Sequence, residues 1–136
     1  MKVILNVDGA SRGNPGQASC GAIIKTEDGA IRELGIYLGV TTNNVAEYSG
    51  IVAGLEECLS MGATEVEVRS DSELCIRQLL GEYKVKSPKL APLYRKVLDL
   101  SRRFRRFEAR HVPREENAEA DAMCNRVLDL RALLTP

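Results

Sequence analysis

The sequence predicts an α/β protein: a five-stranded mixed sheet, antiparallel in its first three strands and then parallel, flanked by about four helices. Two observations carry this expectation. Three strand-like runs come first, separated only by turn residues, so each pairs with its neighbour in sequence. After them, helical and strand-like segments alternate, which implies parallel strands joined by crossover helices. At 136 residues, 44% hydrophobic and 28% charged, residues 1–136 read as one globular domain.

The elements follow in order. KVILNVD is short and nearly continuously apolar, as a buried central strand should be. SRGNPGQ is turn chemistry. SCGAIIKT and AIRELGIYLG flank Asp28–Gly29 and make an antiparallel pair. A helix runs from about Asn44 to Met61, with Thr42 or Asn43 as its cap, and stops at Gly62. TEVEVRS alternates strictly and is a strand. SDSELCIRQLLG is a second helix, with Ser70 and Glu73 at capping-box spacing. After the loop EYKVKSPK, a long amphipathic helix spans about Leu90 to Arg105, FEARHV is the last strand, and residues 115–134 form a final helix.

No apolar run approaches the ~20 residues of a membrane span, and MKVILNVDG is not a signal peptide, so the expectation is a cytoplasmic protein with no membrane partner. The four cysteines are scattered through apolar stretches without a C-x-x-C pair, which reads as reduced core thiols rather than a zinc site. Nineteen basic and nineteen acidic residues give zero net charge, against coating nucleic acid by bulk charge. Basic residues nonetheless cluster at Lys84, Lys86 and Lys89 and again across Arg102–Arg110.

Four acids stand out by position. Asp8 ends the first strand and Asp71 stands where the fourth passes into its helix. On the first helix Glu47 falls within roughly 40° of Ile51, Gly54 and Cys58, which is the inward side. An isolated charge there costs several kcal/mol or more, so Glu47 must be paired, neutralised or bound to something positive. Asp121 begins a line with Cys124 and Leu128 at the border of the buried face of the last helix. Taken singly, each acid reads as an ordinary turn or helix-start residue. Together they can converge at the strand ends, where such sheets gather their sites. Crowded carboxylates need cations, and hard oxygen ligands select Mg²⁺ or Mn²⁺.

DGASRGNPG with Asp8, TTNNVAEY with Glu47, SDSELCIRQLLGEYKVK with Asp71 and VPREENAEAD with Asp121 resemble, in order, the four motifs of type 1 ribonuclease H. NNVAEYSG and LLGEYKVK look closest to its compact archaeal-like branch. The resemblance covers essentially the whole chain. It implies that Asp8, Glu47, Asp71 and Asp121 are catalytic and bind two Mg²⁺ ions, with Mn²⁺ as a substitute. The implied reaction is sequence-independent cleavage of the RNA strand of an RNA–DNA hybrid, leaving 5′-phosphate and 3′-hydroxyl ends. By the same resemblance Gly9, Ser11, Gly13, Asn14, Asn43 and Asn44 contact the hybrid, with Asn44 on a 2′-hydroxyl. Thr42 belongs to a pocket for a DNA-strand phosphate, which a helix N-terminus also favours.

The chain departs from the family pattern twice. The basic helix that many bacterial members carry after the second helix is replaced by the loop GEYKVKSPKLAP, where the expectation is either that Lys84, Lys86 and Lys89 partly replace it or that affinity is weaker and more salt-sensitive. Many members also have a mobile loop histidine ten residues before the last acid. His111 has that spacing but falls inside the last strand, so it is read as structural, and Arg114, Glu115 or Glu116 are left to line the entrance. The alternatives are cleavage of double-stranded RNA, also or instead, and an inactive hybrid-binding module. The expected assembly is a monomer.

Overall fold

The computed structural model describes residues 1–135. Its strands are β1 (Lys2–Gly13), β2 (Gly16–Thr26), β3 (Ile31–Thr41), β4 (Glu65–Ser70) and β5 (Arg106–His111). Its helices are α1 (Asn43–Ser60), α2 (Glu73–Leu79), α3 (Ala91–Ser101) and α4 (Ala118–Leu134), the last preceded by a 3₁₀ turn at Arg114–Asn117. The sheet order is β3-β2-β1-β4-β5, antiparallel across β3, β2 and β1 and parallel across β1, β4 and β5. The apolar first strand is therefore central, as its continuous hydrophobicity requires.

Alternation fixes which side of each strand is covered. Val3, Leu5 and Val7 of β1 and Val66 and Val68 of β4 are buried with Ile51, Leu55 and Cys58 of α1 and Val97 and Leu100 of α3. The helix α1 ends where Gly62 adopts φ 84, a conformation that favours glycine. All four cysteines are free and buried, one each on β2, α1, α2 and α4.

Several boundaries differ from the sequence expectation. SRGNPGQ is not a turn throughout. Pairing continues to Gly13↔Gly16, which leaves only Asn14–Pro15 as the connection. Asp8 thus lies inside β1, two residues past Asn6↔Arg69, the last rung shared with β4. Ser70 does not cap α2. The cap is Ser72, whose hydroxyl accepts from the Cys75 amide. The third helix stops at Ser101 instead of Arg105, because the Arg105 amide donates to Thr64 O at 2.7 Å and opens the pairing of β5 with β4. Among the described residues no helix is long and apolar enough to cross a membrane.

Candidate active site

Parallel pairing of β1 with β4 brings Asp8 and Asp71 to one end of the sheet, and α1 crosses that end with Glu47 turned inward. Potential ligand oxygens of Asp8, Glu47 and Asp71 lie within 4.8 Å of one another. Asp121 is outside this triad but beside Asp8, close enough for a hydrogen bond between the two carboxyls. Asp8, Asp71 and Asp121 line a cleft of about 280 Å³ with Gly9, Ala10, Ser11, Asn43 and Arg114. Among the described residues no ion pair joins any of the four acids to a lysine or arginine.

Glu47 is only 4% exposed, yet both of its oxygens are used. Oε2 accepts from the Gly9 amide at 2.8 Å, and Oε1 accepts from the Ser70 hydroxyl. Ser70 in turn accepts from the Ser72 amide at 3.0 Å, so the strand-to-helix turn that presents Asp71 also orients Glu47. The Gly9 amide reaches Glu47 because no side chain intervenes. A Cβ on Gly9 would sit 2.7 Å from the Glu47 Cα, inside the backbone of α1.

Asp121 arrives by a different route. The buried Asn117 donates from Nδ2 to Val7 O at 2.7 Å and accepts from Asn6 Nδ2 at 3.0 Å. Seven residues on, Cys124 donates to Asp8 O at 3.3 Å while Ser19 donates to Cys124 O at 2.8 Å. These bonds pin the first two turns of α4 to β1 and β2, and Asp121 lies between them. Sequence reasoning missed both Asn117 and Ser70. The signal for Ser70 was present: with Val66 and Val68 it occupies the inward positions of an alternating strand.

Electrostatics matches this crowding. Burial first, then the charges of Glu47 and Asp71 and the contact with Asp121, push the Asp8 carboxyl far above its ordinary range. Burial also raises Glu47, against the lowering effect of the Ser70 hydrogen bond. Uncompensated, the cluster holds protons. A divalent cation would replace them.

The remaining candidates divide into two places. Thr42 caps α1, its Oγ1 accepting from the Val45 amide at 3.3 Å, and Asn14 Oδ1 accepts from the Asn43 amide at 3.1 Å. The β1–β2 connection, with Gly13 and Asn14, is thereby tied to the start of α1, whose first turn holds Asn43 and Asn44. Ser11 donates to Thr41 O at 2.9 Å and shares the cleft. Lys84 and Lys86 are not in the cleft. Lys84 lines a separate groove with Tyr83, Val85, Tyr94 and Arg95. His111 is the last residue of β5, paired with Ser70 and exposed.

The chain matches the Reverse transcriptase-like family model over residues 6–127. It is 44% identical over 134 residues to a bifunctional protein of Mycobacterium tuberculosis, covering 97% of this chain but spanning only 37% of that relative's length. The crystal structure of RNase H1 from the halophilic archaeon Halobacterium salinarum matches with a TM-score of 0.91 at 39% identity, covering 95% of this chain and 98% of that one. This chain belongs to the type 1 ribonuclease H family. The crystal structure of LC11-RNase H1 in complex with an RNA/DNA hybrid also matches, with a TM-score of 0.89 at 42% identity over 96% of this chain and 99% of that one. No helix separates α2 from α3 here: residues 80–90 are turns, bends and irregular chain.

Proposed function

We propose that residues 1–136 form one catalytic domain, a cytoplasmic monomer, that hydrolyses the RNA strand of RNA–DNA hybrids without regard to sequence. The observation that carries this reading is the convergence of Asp8, Glu47 and Asp71, none of them ion-paired among the described residues, beside a cleft that Asp121 completes. Oxygen-only donors fit Mg²⁺, with Mn²⁺ as a substitute, and all four acids would hold it. Two such ions held by these acids would supply a route to an activated water and a stabilised leaving oxygen, and the product ends would be 5′-phosphate and 3′-hydroxyl. LC11-RNase H1, similar over nearly its whole length, supports the hybrid as substrate.

The chain's own groups do the rest. Gly9 and Ser70 hold Glu47 at a fixed angle. Ser11, Asn14, Asn43 and Asn44 offer small polar contacts suited to a 2′-hydroxyl in a shallow minor groove, where hybrid shape is read in place of base sequence. Thr42 and the start of α1 receive a DNA-strand phosphate. Arg114, on the cleft wall, is the basic side chain that draws the scissile phosphate in.

The test is single-turnover cleavage of end-labelled hybrid and matched RNA duplex with Mg²⁺, Mn²⁺ or EDTA, with Asp71→Asn in parallel. Metal-dependent cutting of the hybrid RNA, lost in Asp71→Asn, is expected. A folded protein that binds hybrid and cuts nothing would be a binding module. Cutting of the RNA duplex would widen the substrate class.

A further inference from the structure

Gln78 is a carboxamide only 4% exposed, in the helix that follows Asp71. A buried amide is unfavourable unless hydrogen-bonded, and an aliphatic side chain would fill the same space at lower risk. Its Oε1 accepts from the hydroxyl of Tyr48 at 2.6 Å, and its Nε2 donates to Lys84 O at 3.4 Å. Tyr48 is fully buried and adjoins Glu47 on α1. Its ring also meets Tyr94 edge-on, centroids 6.5 Å apart, and Tyr94 lines the groove that contains Lys84.

The far end of this link is otherwise thinly held. Tyr83 is tied back to α2 by its amide on Arg77 O at 3.2 Å and by the Arg77 guanidinium 5.5 Å over its ring. Ser87 O accepts the amides of Leu90 and Ala91. Between these anchors, among the described residues, the bond from Gln78 is the one polar tie on residues 84–86. Lys84 and Lys86 are both exposed, and neither is ion-paired there.

We infer that Tyr48 and Gln78 are positioning residues. They form a buried link that sets Lys84 and Lys86 at a fixed offset from the helix carrying Glu47, so that the basic segment meets the hybrid backbone while the scissile phosphate lies at the carboxylates. This rests on the reading of the two lysines as hybrid contacts. It adds that their grip is set from the core, through a side chain that touches neither substrate nor metal.

The test measures steady-state cleavage, and hybrid affinity by fluorescence anisotropy, for Gln78→Met, Tyr48→Phe, the Lys84→Ala/Lys86→Ala pair and the combination of Gln78→Met with that pair. Gln78→Met is expected to raise KM and Kd together by roughly threefold to tenfold, with kcat changed less than about twofold, and to add little in the combination, the signature of residues acting through one another. Tyr48→Phe should move in the same direction by less. Unchanged KM and Kd in folded Gln78→Met, or a rise that adds in full to that of the lysine pair, would overturn the inference. If Gln78→Met fails to fold, Tyr48→Phe decides on the same measurements, because it keeps the core volume. Wild-type protein that binds hybrid without cutting it would sink the enzymatic reading alone, and the Kd comparison would still decide this one.

Discussion

At the carboxylate cleft Asp8, Glu47 and Asp121 ride on backbone that at least two elements hold. Glu47 is fastened to β1 and β4, Asp8 lies in the central strand with Cys124 on its carbonyl, and α4 is pinned on either side of Asp121. Along residues 84–86, Lys84 and Lys86 sit on a segment that has one polar tie among the described residues. The contrast teaches a division of labour. Metal chemistry tolerates little positional error, so that end is built into the sheet. Backbone contact with a polyanion tolerates more, because it depends on long, flexible ammonium side chains and screened charge.

The largest expected effect tests the rigid side. Asp71→Asn should lower single-turnover cleavage of hybrid by more than about a hundredfold while the hybrid Kd stays within about threefold. Comparable losses in rate and affinity would mean that the two regions are not separable. Next, Gly9→Ala should destabilise the fold by about 3 kcal/mol or more in urea denaturation, because the added methyl meets α1 backbone and not a side chain that can turn away.

The third prediction concerns pH without metal. Asp8 and Glu47 both have carboxyl pKa values raised by folding, so the folded chain binds protons more tightly than the unfolded one. Their contribution is fully present below the ordinary carboxylate pKa and is lost as pH rises toward the raised values. In EDTA, denaturation midpoints should therefore fall between pH 5 and pH 8.5, by about 2 kcal/mol in stability, and millimolar Mg²⁺ should restore most of it at the upper pH. A flat profile would mean that the cluster is not under electrostatic stress.

Smaller effects follow. Ser70→Ala removes one of the two donors on Glu47 and should lower kcat about tenfold, at roughly 1 kcal/mol in stability. The Lys84→Ala/Lys86→Ala pair should raise KM only about threefold to tenfold at 0.15 M salt, with a shallower dependence of affinity on salt. A lysine effect as large as that of Asp71→Asn would erase the contrast between the two regions.

What the sequence disclosed follows the same line. Glu47 was legible because helical periodicity is local and a carboxylate on an inward face conflicts with its neighbours. Asp71 was legible because it stands at a strand-to-turn boundary, and Asp8 because the apolar run ends there although β1 continues to Gly13; the register of β1 with β4 then brought them together. The anchoring of α4 was not legible, since Asn117 meets Val7 across 110 residues and no local pattern marks such a partner. The role of Ser70 was masked by a competing local rule: its spacing to Glu73 suits a cap, but strand alternation prevailed and turned the hydroxyl toward Glu47. The extent of β1 was underestimated because turn-forming residues can still hold a ladder when the facing strand offers partners up to Gly13↔Gly16.

The four isolated thiols have a use unrelated to catalysis. Burial pushes Cys20, Cys58 and Cys75 up to about 12, and Cys124 higher still. At neutral pH an alkylating reagent reaches each thiolate only when its element opens. Because the four lie on β2, α1, α2 and α4, pulsed labelling read by mass spectrometry would time the opening of four parts of the molecule in one native sample. The unmodified chain carries its own reporters of where unfolding begins.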